Sequence, residues 1–207
     1  RHLTTAVPAT QNWDYALFYW NLWWAKYAVF DLHRNPLFTN YVLYPYTVNL
    51  ALHTHTLLTG LLTAPFQMVF DLKLVFNGVL LGSFITSAYF SFLFLRHHTA
   101  QEGLAIVGGA LFAFMPTMIS RASNGHLNLI QTGWLPLLLL AWDAMLAEGK
   151  PRRRAITGRI IAALNLGLLL YLSLMNDTQF VIWIAALVVP YAAYTWLSRC
   201  RGQERLR

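Results

Sequence analysis

Between Leu74 and Leu95 the chain runs for 22 residues without a charged side chain. A helix of about 20 apolar residues matches the hydrocarbon core of a bilayer. Four more apolar stretches follow, at Gly103–Ile119, Leu127–Ala147, Ile156–Met175 and Phe180–Ser198. Lipid offers no water to bond backbone amides, so segments of this kind are helical. Of the 207 residues, 57% are hydrophobic and 11% are charged, against roughly 25% charged in ordinary soluble domains. The expected class is an all-α integral membrane protein, multi-pass in the plasma membrane, with about five transmembrane helices.

The charges between these stretches alternate. Ten Lys and Arg residues (96, 150, 152, 153, 154, 159, 199, 201, 205 and 207) fall at one set of ends, against Lys73 and Arg121 at the other. The excess of positive charge marks the cytoplasmic side. Residues 150–159 and the tail 199–207 are therefore expected inside, with Arg121, His126 and Asp177 outside. The net charge of +7 is spent on topology, so it carries no expectation of nucleic-acid binding. The single Cys200 forms no internal disulfide.

Residues 1–73 are expected to form an outer loop, and residues 74–207 a five-helix region with a basic tail. Residues 13–30 carry Trp13, Trp20, Trp23 and Trp24. At 100° per residue Ala16, Trp20, Trp23 and Tyr27 share one face, while Asp14, Phe18, Asn21 and Ala25 share the opposite one. Amphipathic rings favour the lipid–water boundary, which predicts an interfacial helix with its tryptophans toward lipid. Taken alone, this pattern also describes a plain anchor with a solvated aspartate. Pro36 ends the helix. Residues 39–46 read as an ordered surface loop, and a helix is expected to restart near Val48. Thr54–Phe70 is apolar but short and contains Gly60 and Pro65. Composition leaves open whether it spans or re-enters.

Several polar residues invite a chemical reading. Arg121, Asn124, His126 and Asn128 cluster between two apolar stretches, a donor set suited to a lipid headgroup or phosphate. A solvated turn with a tight Asn-Gly bend fits the same residues. His53 and His55 diverge by about 200° on a helix. His97 and His98 read as solvated beside Arg96, and no Cys/His spacing marks a structural metal. Asp143 sits near the end of its stretch, five residues before Glu148, and is expected to reach the interface. Asn165 and Ser173 read as interhelical hydrogen-bonding groups. Asn176-Asp-Thr178 matches a glycosylation acceptor, which matters only in a eukaryotic secretory setting.

The order of motifs carries a resemblance. Asp14 opens an aromatic helix with Trp20-Asn-Leu-Trp-Trp-Ala-Lys26. Asn35-Pro-Leu-Phe-Thr-Asn40, Tyr44-Pro-Tyr-Thr-Val-Asn-Leu50, Phe112-Ala-Phe-Met-Pro116, Gly125-His-Leu-Asn-Leu129 and Trp134-Leu-Pro136 follow in turn. From Trp13 to Met175 the chain resembles bacterial polytopic membrane proteins of the C-type (GT-C) glycosyltransferase superfamily. The resemblance implies an outer loop with interfacial and re-entrant helices, and so a re-entrant Thr54–Phe70. It also implies sugar transfer from a polyprenyl-phosphate donor on the outer face. By this likeness Asp14 is the catalytic base, lining a cavity shared with Arg121 or His126. Arg121, Asn124, His126 and Asn128 are the candidate substrate-binding donors. No metal ligand is assigned, and a requirement for a divalent cation stays open. Many relatives have two adjacent acids, whereas Asp14 is followed by Tyr15. Relatives also carry a helix before the loop and more spans after it, so the chain is expected to be a fragment or truncated member. A non-catalytic accessory or scaffold subunit that packs against other membrane subunits is the competing expectation.

Overall fold

The computed structural model of the chain describes residues 3–8, 14–51, 53, 54, 56–146 and 152–204. Of the side chains in 152–204, those of 152–157, 159 and 199–204 lie outside the description, as do Trp13 and His55. The fold is mostly helical. α1 spans Asp14–Lys26 and widens into a π-helical turn at Tyr27–Asp31. A small antiparallel hairpin pairs β1 (Phe38–Thr39) with β2 (Val48–Asn49). Then come α2 (Leu57–Gln67), α3 (Leu72–His98), α4 (Glu102–Ala113) and α5 (Pro116–Ser123). The chain closes with α6 (Leu127–Ile130), α7 (Trp134–Leu146), α8 (Arg152–Asn176), α9 (Phe180–Trp183) and α10 (Val189–Glu204). No helix restarts at Val48: Thr39 and Val48 pair across the hairpin instead.

α3 is the axis of the bundle. Its 27 residues extend about 40 Å at 1.5 Å per residue. Asp71 caps its start, accepting from the Lys73 amide at 2.7 Å, which satisfies one of the orphan donors of a helix N-terminus. Ser83 and Ser87 are buried, and so is Ser91 four residues on, while Leu81, Ile85 and Tyr89 are exposed. Over this half of α3 small residues thus face the bundle and large apolar ones face outward, whereas nearer its start Phe76 and Leu80 fill the buried face. A stripe of small side chains lets neighbouring backbones approach closely.

Three helical segments are long and apolar enough to cross a membrane: Leu72–His98, Glu102–Ser123 and Phe180–Ser198. Trp134–Leu146 and Ile160–Asn176 are apolar but shorter. The expected uniform set of five is modified for local reasons. Pro116 lacks a backbone N–H and opens a new helix at α5, splitting the second stretch. Gln131, Thr132 and Gly133 interrupt the third between α6 and α7. The fifth carries a π-helical turn at Ile184–Val188.

The aromatic helix is packed more deeply than the expected interfacial anchor. Phe18, Leu22, Trp24 and Ala25 are buried. Phe18 and Leu22 join Phe76 and Leu80 of α3, Met118 of α5, and Leu127 and Ile130 of α6 in one core. Trp24 does not face lipid. It stacks on Trp20 at 5.6 Å, and its Nε1 donates to the Pro36 carbonyl at 2.8 Å. Trp23 stacks on Tyr27 at 4.8 Å, and Tyr41 closes over both. The hydrogen bond with Tyr41 is the main influence pushing the Tyr27 phenol above its usual range.

α2 has 11 residues, about 16 Å of helix, half of a hydrocarbon core. It lies against α1, where a Cβ on Gly60 would meet Ala25 Cβ at 2.5 Å. Asn21 Nδ2 donates to the Thr54 carbonyl at 2.8 Å, and Gln67 Nε2 to the Leu22 carbonyl at 3.1 Å. α1 is thus tied both to the segment that leads into α2 and to the last residue of α2.

Candidate functional site

Asp14 opens α1, and its side chain remains 57% exposed. It meets His126, 112 residues away, with Nε2 lying 3.0 Å from Asp14 Oδ2. The loop between α5 and α6 brings the imidazole there. Asn124 donates to the Ser120 carbonyl at 2.8 Å and closes α5. Gly125 then turns with φ 71°, a left-handed conformation that glycine adopts without steric cost. A Cβ at this point would lie 2.6 Å from Tyr15 Cβ and 3.1 Å from the Pro8 carbonyl oxygen. The loop thus sits directly on the first turn of α1, and the next residue is His126.

The imidazole is buried, beneath Phe18 at 6.1 Å between centroids. Arg121 Nη1 lies 3.4 Å from His126 Nδ1. Arginine only donates, so Nδ1 accepts and Nε2 carries the proton that goes to Asp14. The result is a chain of three groups: carboxylate, imidazole and guanidinium. Asp14, His126 and Arg121 are therefore brought together, while Asn124 and Asn128 are directed elsewhere.

Arg121 also lines a cavity of about 510 Å³ beside α5, α6 and α9. Its walls are mostly apolar, with Met115, Leu129, Phe180 and Trp183, and its polar rim includes Asn128, Thr132 and Asp177. Asp14 and His126 do not line it. Arg121 alone of the three joins the two regions.

Behind the rim runs a polar seam that the sequence did not announce. Asn128 Nδ2 donates to Asp177 Oδ2, and the Gln179 amide donates to Asp177 Oδ1 at 2.7 Å. Asp177 is 1% exposed, with no ion pair among the described residues. Thr59 of α2 hydrogen-bonds Gln131 at 2.9 Å and also Asn176. Two buried atoms of the seam, Asn128 Oδ1 and Asn176 Nδ2, lack a partner. Asn176 is completely buried, so the glycosylation reading of Asn176-Asp-Thr178 does not fit the folded chain. Ser173 donates within α8, to Leu170 at 2.8 Å, and Asn165 is exposed. Among the described residues neither makes the interhelical bond expected of it.

Asp143 is not a solvated acid either. It is buried against His98 and Tyr191, and His98 is correspondingly engaged where a solvated side chain was expected. No family model, curated protein or solved structure matches the chain.

Proposed function

We propose that the protein transfers a sugar from a polyprenyl-phosphate donor to a hydroxyl acceptor at the outer membrane face. Five helical passages carry the site, counting the broken α6–α7 segment and α8 as crossings. The large apolar side chains on the outside of α3 and the ten-to-two distribution of basic residues support this placement. The observation that carries the reading is the Asp14–His126–Arg121 chain, a base and a cation joined through one imidazole.

In this reading the acceptor hydroxyl attacks the anomeric carbon. Its proton passes to the exposed carboxylate of Asp14, and the bond from carbon to phosphate oxygen breaks. The electron pair leaves with the polyprenyl phosphate, whose charge Arg121 stabilises with N–H groups left over from His126. His126 is a positioning residue: donating from Nε2 orients Asp14, and accepting at Nδ1 orients Arg121. The apolar cavity next to Arg121 receives the start of the isoprenoid chain.

Purified protein in proteoliposomes, supplied with a panel of polyprenyl-phosphate hexoses, tests the assignment. Asp14→Asn keeps shape and removes the base, so kcat falls roughly 10²–10⁴-fold with KM little changed. Arg121→Gln raises KM for the lipid as well. Normal turnover by Asp14→Asn would refute the assignment.

A further inference from the structure

About 40 Å from Asp71 along α3, the bundle holds a second cluster of titratable groups. α3 ends on Arg96, His97 and His98, and both histidines are exposed. His98 Nε2 lies 2.8 Å from Asp143 Oδ2 in α7. Tyr191 of α10 donates to the two Asp143 oxygens at 3.0 and 2.8 Å, with its hydroxyl 3.1 Å from His98 Nε2. The His97 ring stands edge-on to His98 at 5.1 Å between centroids. Arg96 is directed away, lying 3.8 Å from Glu102 and over the Phe92 ring.

The Asp143 side chain is 8% exposed. A buried carboxylate is costly unless charge or hydrogen bonds compensate it. A phenol supplies no positive charge, and His98 supplies one only by binding a second proton. A cation would compensate Asp143 fully. One ligand atom each from His97, His98 and Asp143 lies within 4.8 Å of the others.

We infer that His97, His98 and Asp143 form a binding site for a late first-row divalent cation such as zinc, with Tyr191 orienting the carboxylate from outside the coordination sphere. The donor set decides the class. Two imidazoles and one carboxylate suit zinc and its neighbours, whereas magnesium and calcium take oxygen ligands. Bonds of about 2.0–2.1 Å at tetrahedral angles separate ligand atoms by roughly 3.3 Å. The 2.8 Å between His98 and Asp143 opens slightly to reach that value. The widest separation, 4.8 Å, closes by roughly 1.5 Å, which the exposed His97 achieves by rotating. A fourth position stays open to water. The ion would clamp α3 to α7 at this end, with α10 held through the Tyr191 hydrogen bond, independently of the proposed transfer chemistry at Asp14.

Zinc binding to the purified chain in detergent, measured by competition with a chromophoric chelator, tests the site. Wild type should bind zinc at micromolar or tighter concentrations, with an excess of Mg²⁺ failing to compete. His97→Ala and Asp143→Asn should each weaken it at least roughly tenfold, and Tyr191→Phe about tenfold through the outer shell. His97 is the decisive position, because removing it leaves the bonds among His98, Asp143 and Tyr191 in place. Zinc should raise the melting temperature of wild type and not of His97→Ala, and His97→Gln serves if the alanine variant does not fold. No zinc binding, or equal binding by wild type and the His97 variants, would overturn the site and leave a purely hydrogen-bonded triad.

Discussion

Replacing Gly125 by alanine should dislodge the loop that carries His126. Two costs combine. The native φ of 71° places alanine in the left-handed region, at about 1–2 kcal/mol. The new Cβ also lies 2.6 Å from Tyr15 Cβ, closer than any relaxed contact. Overpacking of this kind costs about 1–3 kcal/mol. Together they predict a loss of about 2–5 kcal/mol. Gly125→Asn separates the two terms. Asparagine tolerates the left-handed region, so it keeps mainly the collision, about 1–3 kcal/mol. Unfolding in mixed detergent micelles measures both variants against wild type. A Gly125→Ala protein within about 0.5 kcal/mol of wild type, the range of neutral surface changes, would refute the claim that this loop rests on the first turn of α1.

Other outcomes follow from the same contacts. Asn128→Asp sets two carboxylates against each other in a buried seam and should destabilise by roughly 3–5 kcal/mol, as an uncompensated buried charge does. The same unfolding assay reads it. Gly60→Ala should cost about 1–3 kcal/mol by pressing on Ala25, and the added change Ala25→Gly should recover most of that loss. With Cys200 replaced by serine, a cysteine at Ser123 should react with an impermeant maleimide from outside intact cells. One at Thr99 should react only after permeabilisation; the reverse pattern would invert the topology.

The apolar stretches were readable because their signal is local. Leu74–Leu95 anticipates α3, and only its capping by Asp71 and its last turn through His98 were missed. The breaks were less visible. Pro116 begins a new helix that hydropathy averages away. The α6–α7 interruption survives because partners distant in sequence satisfy it: Thr132 meets Ser87 at 3.2 Å, and Gln131 meets Thr59. Non-helical backbone inside a bundle is tolerated where protein groups surround it, and no periodicity records those groups. Asp143 shows the same limit. Its distance to the end of the stretch suggested an escape to water, but His98 and Tyr191 lie 45 and 48 residues away. For the candidate site, the types and order of Asp14, Arg121 and His126 stood in the sequence. The Asn-Gly bend also pointed to a turn. That the turn packs on Tyr15, placing the imidazole between acid and guanidinium, is a tertiary fact. The burial of Asp177 and Asn176 is another, since an Asn-Asp-Thr run between apolar stretches looks like an ordinary surface loop.

The most direct test is a density map of the chain in lipid nanodiscs with a bound polyprenyl phosphate. The phosphate is predicted within hydrogen-bonding distance of the Arg121 guanidinium, with the isoprenoid tail between Met115 and Trp183 and the Asp14 carboxylate facing the acceptor side. A phosphate bound elsewhere, with a partner helix filling the cavity at Arg121, would contradict the transferase account and make the chain a subunit of a larger assembly.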